Sequence, residues 1–124
     1  EGTCENCNKY DQLKIKHNFH FTKQIIILQL MLFSCDKKGI SKITKYSIKS
    51  VPSDKVYIGE GLYRVCSAIY HHGNSVETGH YTNMLKVVKT NKSEWIYVSD
   101  QTVLRKQWPR GSKDAYIFFL EKLK

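Results

Sequence analysis

Nine consecutive residues, Ile25-Ile26-Ile27-Leu28-Gln29-Leu30-Met31-Leu32-Phe33, are apolar except for one glutamine. A stretch like this must be covered by something, and its length limits by what. A membrane-crossing helix needs about 20 apolar residues, so this run is strand-sized. Its adjacent isoleucines are stiff at χ1 and suit a pleated strand better than a helix. Residues 24–34 therefore predict a buried central strand.

The remainder of the chain reads the same way. Ile40, Ile43, Tyr46 and Ile48 give a weaker strand that ends before Val51-Pro52. Leu62 through Tyr70 has strand composition and stops at His71-His72-Gly73-Asn74. A loop runs to Gly79, and 80–89 is the next strand. Thr90-Asn91-Lys92-Ser93 is a polar turn before Trp95-Ile96-Tyr97-Val98, so 80–98 reads as a hairpin. Asp100 through Val103 leads into a loop holding Trp108-Pro109-Arg110-Gly111, with only weak support for a short helix near 103–108. Ala115 through Leu120 is a final strand. Consecutive hairpins favour an antiparallel sheet. At 124 residues and 41% hydrophobic, the chain can build one modest core.

The formal net charge is +9. A basic balance can serve nucleic acid or an acidic membrane surface, but here the lysines are scattered and form no block of five like charges. They read as solvated outer faces of strands, and specific nucleic-acid binding is not expected. The polar amino terminus shows no signal peptide, and no membrane association is expected. Four scattered cysteines do not suggest a secreted disulfide scaffold. The expectation is a reducing compartment, cytoplasm or nucleus.

One constellation carries chemistry. His80 follows Gly79 where a loop meets a strand, a good place to hold a titrating imidazole. A histidine can take a proton near neutral pH and return it to a leaving amine. It needs a third group to fix its tautomer, and Ser99 and Asp100 lie one hairpin away. A lone histidine is more often a surface or structural residue, so spacing alone does not decide the matter.

Gly79-His80-Tyr81-Thr82, with Trp95 and Asp100, closing on Ala115-Tyr116-Ile117-Phe118-Phe119, resembles the histidine box of the ubiquitin-specific proteases. Cys4-Glu5-Asn6-Cys7 resembles the second cysteine knuckle of that family's fingers, and Ile25 through Phe33 the strand that follows. The likeness is strongest from 62 to 120. It implies an α+β, mainly antiparallel fold, the palm and partial fingers of a papain-like cysteine protease, with 1–20 a fingers remnant and 21–124 palm. It implies that His80 is the general base activating a cysteine thiol, whose thiolate attacks the carbonyl of ubiquitin's terminal glycine. Gly79 would let the substrate's narrow tail pass close to the backbone. Tyr81 would pack under the histidine strand, or simply serve as a core aromatic. Ubiquitin or ubiquitinated proteins are the implied partners, and no cofactor is required.

The sequence departs from the family pattern in three places. Ser99, rather than Asp100, falls on the orienting position, and neighbouring strand residues point to opposite faces. Met31-Leu32-Phe33 stands where the family commonly has Lys-Arg-Phe. No cysteine box occurs in these 124 residues: Cys35 is at a strand end and Cys66 is inside a strand. Cys4 and Cys7 have the bite of a zinc knuckle but supply two of four ligands. His17 and His20 could complete a set, although their spacing does not fit a nucleic-acid-binding finger. Three readings stay open: part of a deubiquitinase, a non-catalytic relative that binds ubiquitin or a partner, and a basic nucleic-acid-binding module.

Overall fold

The computed structural model describes residues 2–12, 14–20, 23–43, 48–111 and 114–124. Eleven strands follow one another: β1 Gly2–Thr3, β2 Tyr10–Asp11, β3 Ile25–Gln29, β4 Phe33–Asp36, β5 Gly39–Lys42, β6 Val56–Ile58, β7 Gly61–His72, β8 His80–Lys89, β9 Lys92–Ser99, β10 Thr102–Arg105 and β11 Ala115–Lys122. Seven of them form one sheet in the order β10-β9-β8-β7-β11-β3, with β6 also pairing β7. Every pairing is antiparallel. The hairpins β1–β2 and β4–β5 stand as separate two-stranded sheets.

The long β7 carries most of the core. Tyr63 and Val65 point inward, and so do Ala68 and Tyr70, although strict alternation would put those two pairs on opposite faces. The pairing with β11 explains the change of parity. Val65 faces Leu120 while Ser67 faces Phe119, which leaves Cys66 as an extra residue. A second shift on β11 skips Tyr116, so Ala115 and Phe118 both reach the same core. Two bulges on neighbouring strands thus keep one face apolar along the whole ladder. Met84 and Leu120 complete the buried set, and Trp95, Tyr97 and Trp108 pack against it.

The core is closed by chain outside the sheet. Trp108 donates its indole N–H to the Val51 carbonyl at 2.9 Å, and the Val51 N–H donates to the Arg110 carbonyl. A side chain at Gly111 would lie 2.8 Å from the Lys49 carbonyl oxygen, so the Trp108–Gly111 loop packs directly on the segment after Ile48.

The hairpin β4–β5 is pinned by one buried charge. The Lys42 ammonium is 3% exposed, forms a 2.9 Å ion pair with Asp114, and also donates to the His71 carbonyl. The Lys42 N–H donates to the Asn74 carbonyl at 3.0 Å. One residue therefore ties the hairpin to the end of β7 and to the start of β11.

Several expectations need correction. The run 24–34 is not a buried central strand. β3 ends at Gln29 and lies at the edge of the sheet, with Ile25, Ile27 and Leu28 44–62% exposed. The Leu32 N–H donates back to Leu30, which turns the chain and starts β4 in a different sheet. Apolarity on both faces signals a strand that could be covered, and it does not say which edge is paired. No helix occurs among the described residues, and β10 occupies the first half of the stretch weighed as a helix near 103–108. β9 begins at Lys92, so the turn is only Thr90-Asn91. Tyr46, assigned to the weaker strand, lies outside the described residues.

Replacing Lys42 with Ala should remove the buried charge that faces Asp114 and the His71 carbonyl, and destabilise the fold by about 3 kcal/mol. A urea denaturation midpoint, compared with the wild type, measures this loss.

Candidate active site around His80

His80 is the first residue of β8, as the sheet emerges from the loop after Gly73. Its Nε2 lies 2.7 Å from the Ser99 hydroxyl at the end of β9. Its Nδ1 lies 3.9 Å from an Asp100 carboxylate oxygen, and the imidazole is 44% exposed. Both residues therefore meet the ring, one by a hydrogen bond and the other at the outer limit of an ion pair. The backbone permits this. Asp100 is the first residue of the two-residue turn between Ser99 and Thr102, with φ 49°, a left-handed conformation that Asp tolerates better than most residues. The turn releases Asp100 from strand alternation, so it swings back beside the histidine instead of pointing to the opposite face.

A second histidine stands opposite the first. His72 pairs with His80 across β7 and β8, and the two rings are stacked at 6.3 Å. Asp114 contacts His72 Nδ1 at 3.2 Å, and the Thr82 hydroxyl contacts His72 Nε2 at 2.8 Å. Burial pushes the Asp114 carboxyl up, but the Lys42 ammonium and His72 outweigh it, and the net shift is below the ordinary carboxylate value. Lys42, Asp114, His72 and Thr82 thus form one polar chain along the inner side of the site. A cavity of about 160 Å³ opens beside it, lined by Tyr70, His72, Thr82, Met84 and Tyr97. Burial pushes the Tyr70 phenol up to about 12, so it stays neutral. Sequence reasoning gave no role to His72, Asp114 or Lys42. The His71-His72 doublet was visible, but nothing marked Lys42 or Asp114 as its neighbours.

Gly79 and Tyr81 are arranged around a different histidine. His71 is fully buried, between the Phe33 ring at 5.2 Å and the Tyr81 ring at 4.9 Å, both edge-on. Neither of its ring nitrogens hydrogen-bonds to a described residue. A side chain at Gly79 would sit 2.5 Å from His71 Nε2 and 2.5 Å from the His72 carbonyl oxygen, so only glycine lets the loop close over this imidazole. Tyr81 is half-exposed and, with Ile69, Asn83, Val98, Asp100 and Tyr116, lines an open cleft of about 310 Å³. Trp95 stacks on Trp108 at 4.4 Å, and both pack against the core.

The cysteines fall into two groups. Cys35 is exposed on β4, and Cys66 lies at the β7 bulge with its thiol against the Phe119 carbonyl. Burial and the nearby Glu121 push the Cys66 thiol up, away from thiolate chemistry. Cys4 and Cys7 sit in the tight loop between β1 and β2, closed by Cys4 N–H to Lys9 and Asn8 N–H to Cys4. Hydrogen bonds from the Cys7 backbone and thiol hold Cys4 below the ordinary thiol value. Two thiols are half of a tetrahedral zinc set. Among the described residues no third donor, His17 and His20 included, joins them.

A family model for ubiquitin carboxyl-terminal hydrolase matches residues 3–120. The chain belongs to this family. Ubiquitin carboxyl-terminal hydrolase 10-A of Xenopus laevis is 36% identical over 62 residues, covering 50% of this chain and 8% of that protein. Ubiquitin carboxyl-terminal hydrolase 10 of Gallus gallus is 28% identical over 87 residues, 66% of this chain and 11% of that protein. Ubiquitin carboxyl-terminal hydrolase 1 of Bos taurus is 28% identical over 116 residues, 80% of this chain and 14% of that protein. Among solved structures, that of an essential yeast splicing factor superposes with a TM-score of 0.61 at 14% identity, covering 85% of this chain and 26% of the other. That likeness concerns the fold alone. The chain thus spans about a tenth of the length of the curated relatives it matches.

The buried His71 has a consequence for stability. Burial, with help from the Lys42 charge, holds its folded-state pKa below the ordinary 6.5. The unfolded chain therefore takes up a proton at a pH where the folded chain does not. Stability from this residue is fully present above about 6.5 and falls as the pH drops below it. Asp114 acts in the same direction, but only in the window below 3.8. Urea midpoints measured between pH 7.5 and 5 should fall with acidification, and the slope should shrink in His71→Leu.

Proposed function

We propose that this chain is the histidine-bearing C-terminal part of a thiol-dependent ubiquitin isopeptidase, with His80 as general base. One observation carries the reading: His80 Nε2 is held at 2.7 Å by Ser99 while Nδ1 remains on the half-open side of the ring. If Ser99 accepts from Nε2–H, Nδ1 carries the free lone pair and can take a thiol proton. The imidazolium so formed has Asp100 beside it. Ser99 is the orienting group and Asp100 an auxiliary charge. Gly79 and Tyr81, at the mouth of the same strand, border the path of ubiquitin's C-terminal tail. In this reading residues 21–124 are palm and 1–20 a fingers remnant. Ubiquitin or a ubiquitinated protein is the partner, in a reducing compartment that keeps four thiols free. Cys4 and Cys7 are half of a zinc knuckle that needs two further donors, so the chain by itself should hold zinc only weakly.

The nucleophile is the missing element. No cysteine box occurs in the sequence, Cys66 is raised away from thiolate chemistry, and Cys35 lies on the β4 hairpin. On its own the chain should show no turnover of a ubiquitin amide reporter. A ubiquitin electrophile should label neither Cys35 nor Cys66, and labelling at either would overturn this assignment. The same absence favours a second reading, a relative that binds ubiquitin without cleaving it. A chimera separates the two: the corresponding segment of Xenopus laevis ubiquitin carboxyl-terminal hydrolase 10-A is replaced by this chain. Under the catalytic reading the chimera cleaves the reporter. His80→Ala should then lower kcat/KM by about 10²–10⁴-fold, the scale of general-base catalysis, and Ser99→Asn should retain or raise activity. An inert, folded chimera that still binds ubiquitin would establish the second reading.

A further inference from the structure

Among the described residues, the seven-stranded sheet has at one edge a strand with nothing paired on its outer side. β3 pairs β11 on one side only. In that register Gln24 and Leu30 face Lys122 and Tyr116, and both bond inward: Lys122 N–H to Gln24, and Leu30 N–H to Tyr116. Even-numbered residues therefore spend their backbone groups on β11, and Ile25, Ile27 and Gln29 turn theirs away from it. Among the described residues, three N–H donors and three carbonyl acceptors thus point outward in a row.

The usual protections of an edge are missing. From Gln24 to Cys35 there is no charge and no proline, in a chain of net charge +9. Ile25 is 50% exposed, Ile27 62% and Leu28 44%. The Gln29 amide is drawn back to the Tyr116 hydroxyl at 3.1 Å, so it does not shield the edge. The opposite edge differs: β10 has four residues, ends on Arg105, whose guanidinium reaches Glu94, and leads into Lys106. One sticky edge and one blunted edge allow closed pairing and disfavour an open fibre.

We propose that the chain self-associates as a two-fold dimer in which β3 pairs antiparallel with β3 of a second copy, Ile27 lying on the axis. This inference rests on the strand edge and not on the catalytic reading. The register follows from the outward groups. Ile27 faces its own copy, Ile25 faces Gln29, and Ile26 faces Leu28, so every free donor meets an acceptor and apolar side chains meet on both faces. Charge decides in favour of a second copy. Lys23, the nearest lysine before the strand, falls opposite Met31 of the other chain. The two Lys23 residues are then about 26 Å apart at about 3.3 Å per residue, well beyond the Debye length of about 8 Å. The basic chain can therefore pair with itself here without bringing like charges together.

Sedimentation equilibrium of the 124-residue chain should show mass rising with concentration from 14.5 kDa towards twice that value. Amide hydrogen exchange reads the register. Ile25, Ile27 and Gln29 should gain at least tenfold protection as concentration rises, while Ile26 and Leu28 are protected throughout. Ile27→Lys should stay monomeric with the Ile26 and Leu28 protection intact, which shows that β3 still pairs β11. A mass of 14.5 kDa at every concentration overturns the proposal. So does a dimer that survives Ile27→Lys, or protection of Ile25, Ile27 and Gln29 that does not depend on concentration.

Discussion

β7 is the constraint on which the structure depends. It is bonded to β11 along one side and to β6 and β8 along the other. Among the described residues, four of the eight buried apolar residues, Tyr63, Val65, Ala68 and Tyr70, come from it. A twelve-residue strand with partners on both edges can be registered in only one way if its apolar residues are to stay on one side. The Cys66 bulge makes that register attainable, because without it the residues beyond would turn outward. A small half-exposed thiol at the extra position costs neither face a large side chain. The consequence reaches the site: it is this register that sets His72 opposite His80.

The polar groups around His72 continue the same logic. Lys42 is nearly buried, and a buried ammonium is tolerable only with partners. It has the Asp114 carboxylate and the His71 carbonyl, and Asp114 in turn holds His72. Each group in the chain compensates the desolvation of the next. The arrangement also joins three segments distant in sequence: the β4–β5 hairpin, the end of β7 and the start of β11. His71, one residue earlier, points the other way into an aromatic cage and depends on Gly79 to close the loop over it. Two adjacent histidines on one strand thus have opposite surroundings, one polar and half-exposed, the other sealed and held neutral.

Much of the site was legible because it is local. The hairpin 80–98 follows from alternation and a polar turn, and once it forms, His80 and Ser99 are brought together by a ladder of known direction. The behaviour of Asp100 was not legible, because it depends on a positive φ at the turn, which only the closed two-residue loop imposes. The edge position of β3 was hidden for a different reason. An apolar run records what a strand can tolerate on its faces, and pairing is decided by backbone groups that every residue carries alike. Lys42 and Asp114 are 72 residues apart, and no periodicity links them. The two bulges were invisible because a parity change in mid-strand looks, in sequence, like imperfect alternation.

Ser99 and Asp100 together divide what one carboxylate could do. An orienting group must fix the tautomer and stabilise the imidazolium once it forms. Ser99 fixes the ring with a short hydrogen bond but brings no charge. Asp100 brings the charge, yet at 3.9 Å and 81% exposed it acts through water-screened electrostatics. A pair so exposed contributes little to stability. In the proposed thiol chemistry that would suffice, because a thiol ionises far more readily than a serine hydroxyl and asks less of the charge behind the histidine. The two contacts fall on different ring nitrogens: the Ser99 hydroxyl lies 2.7 Å from Nε2, and the Asp100 carboxylate 3.9 Å from Nδ1. In the proposed role, a Ser99 that accepts from Nε2–H would leave Nδ1 as the nitrogen that takes the thiol proton.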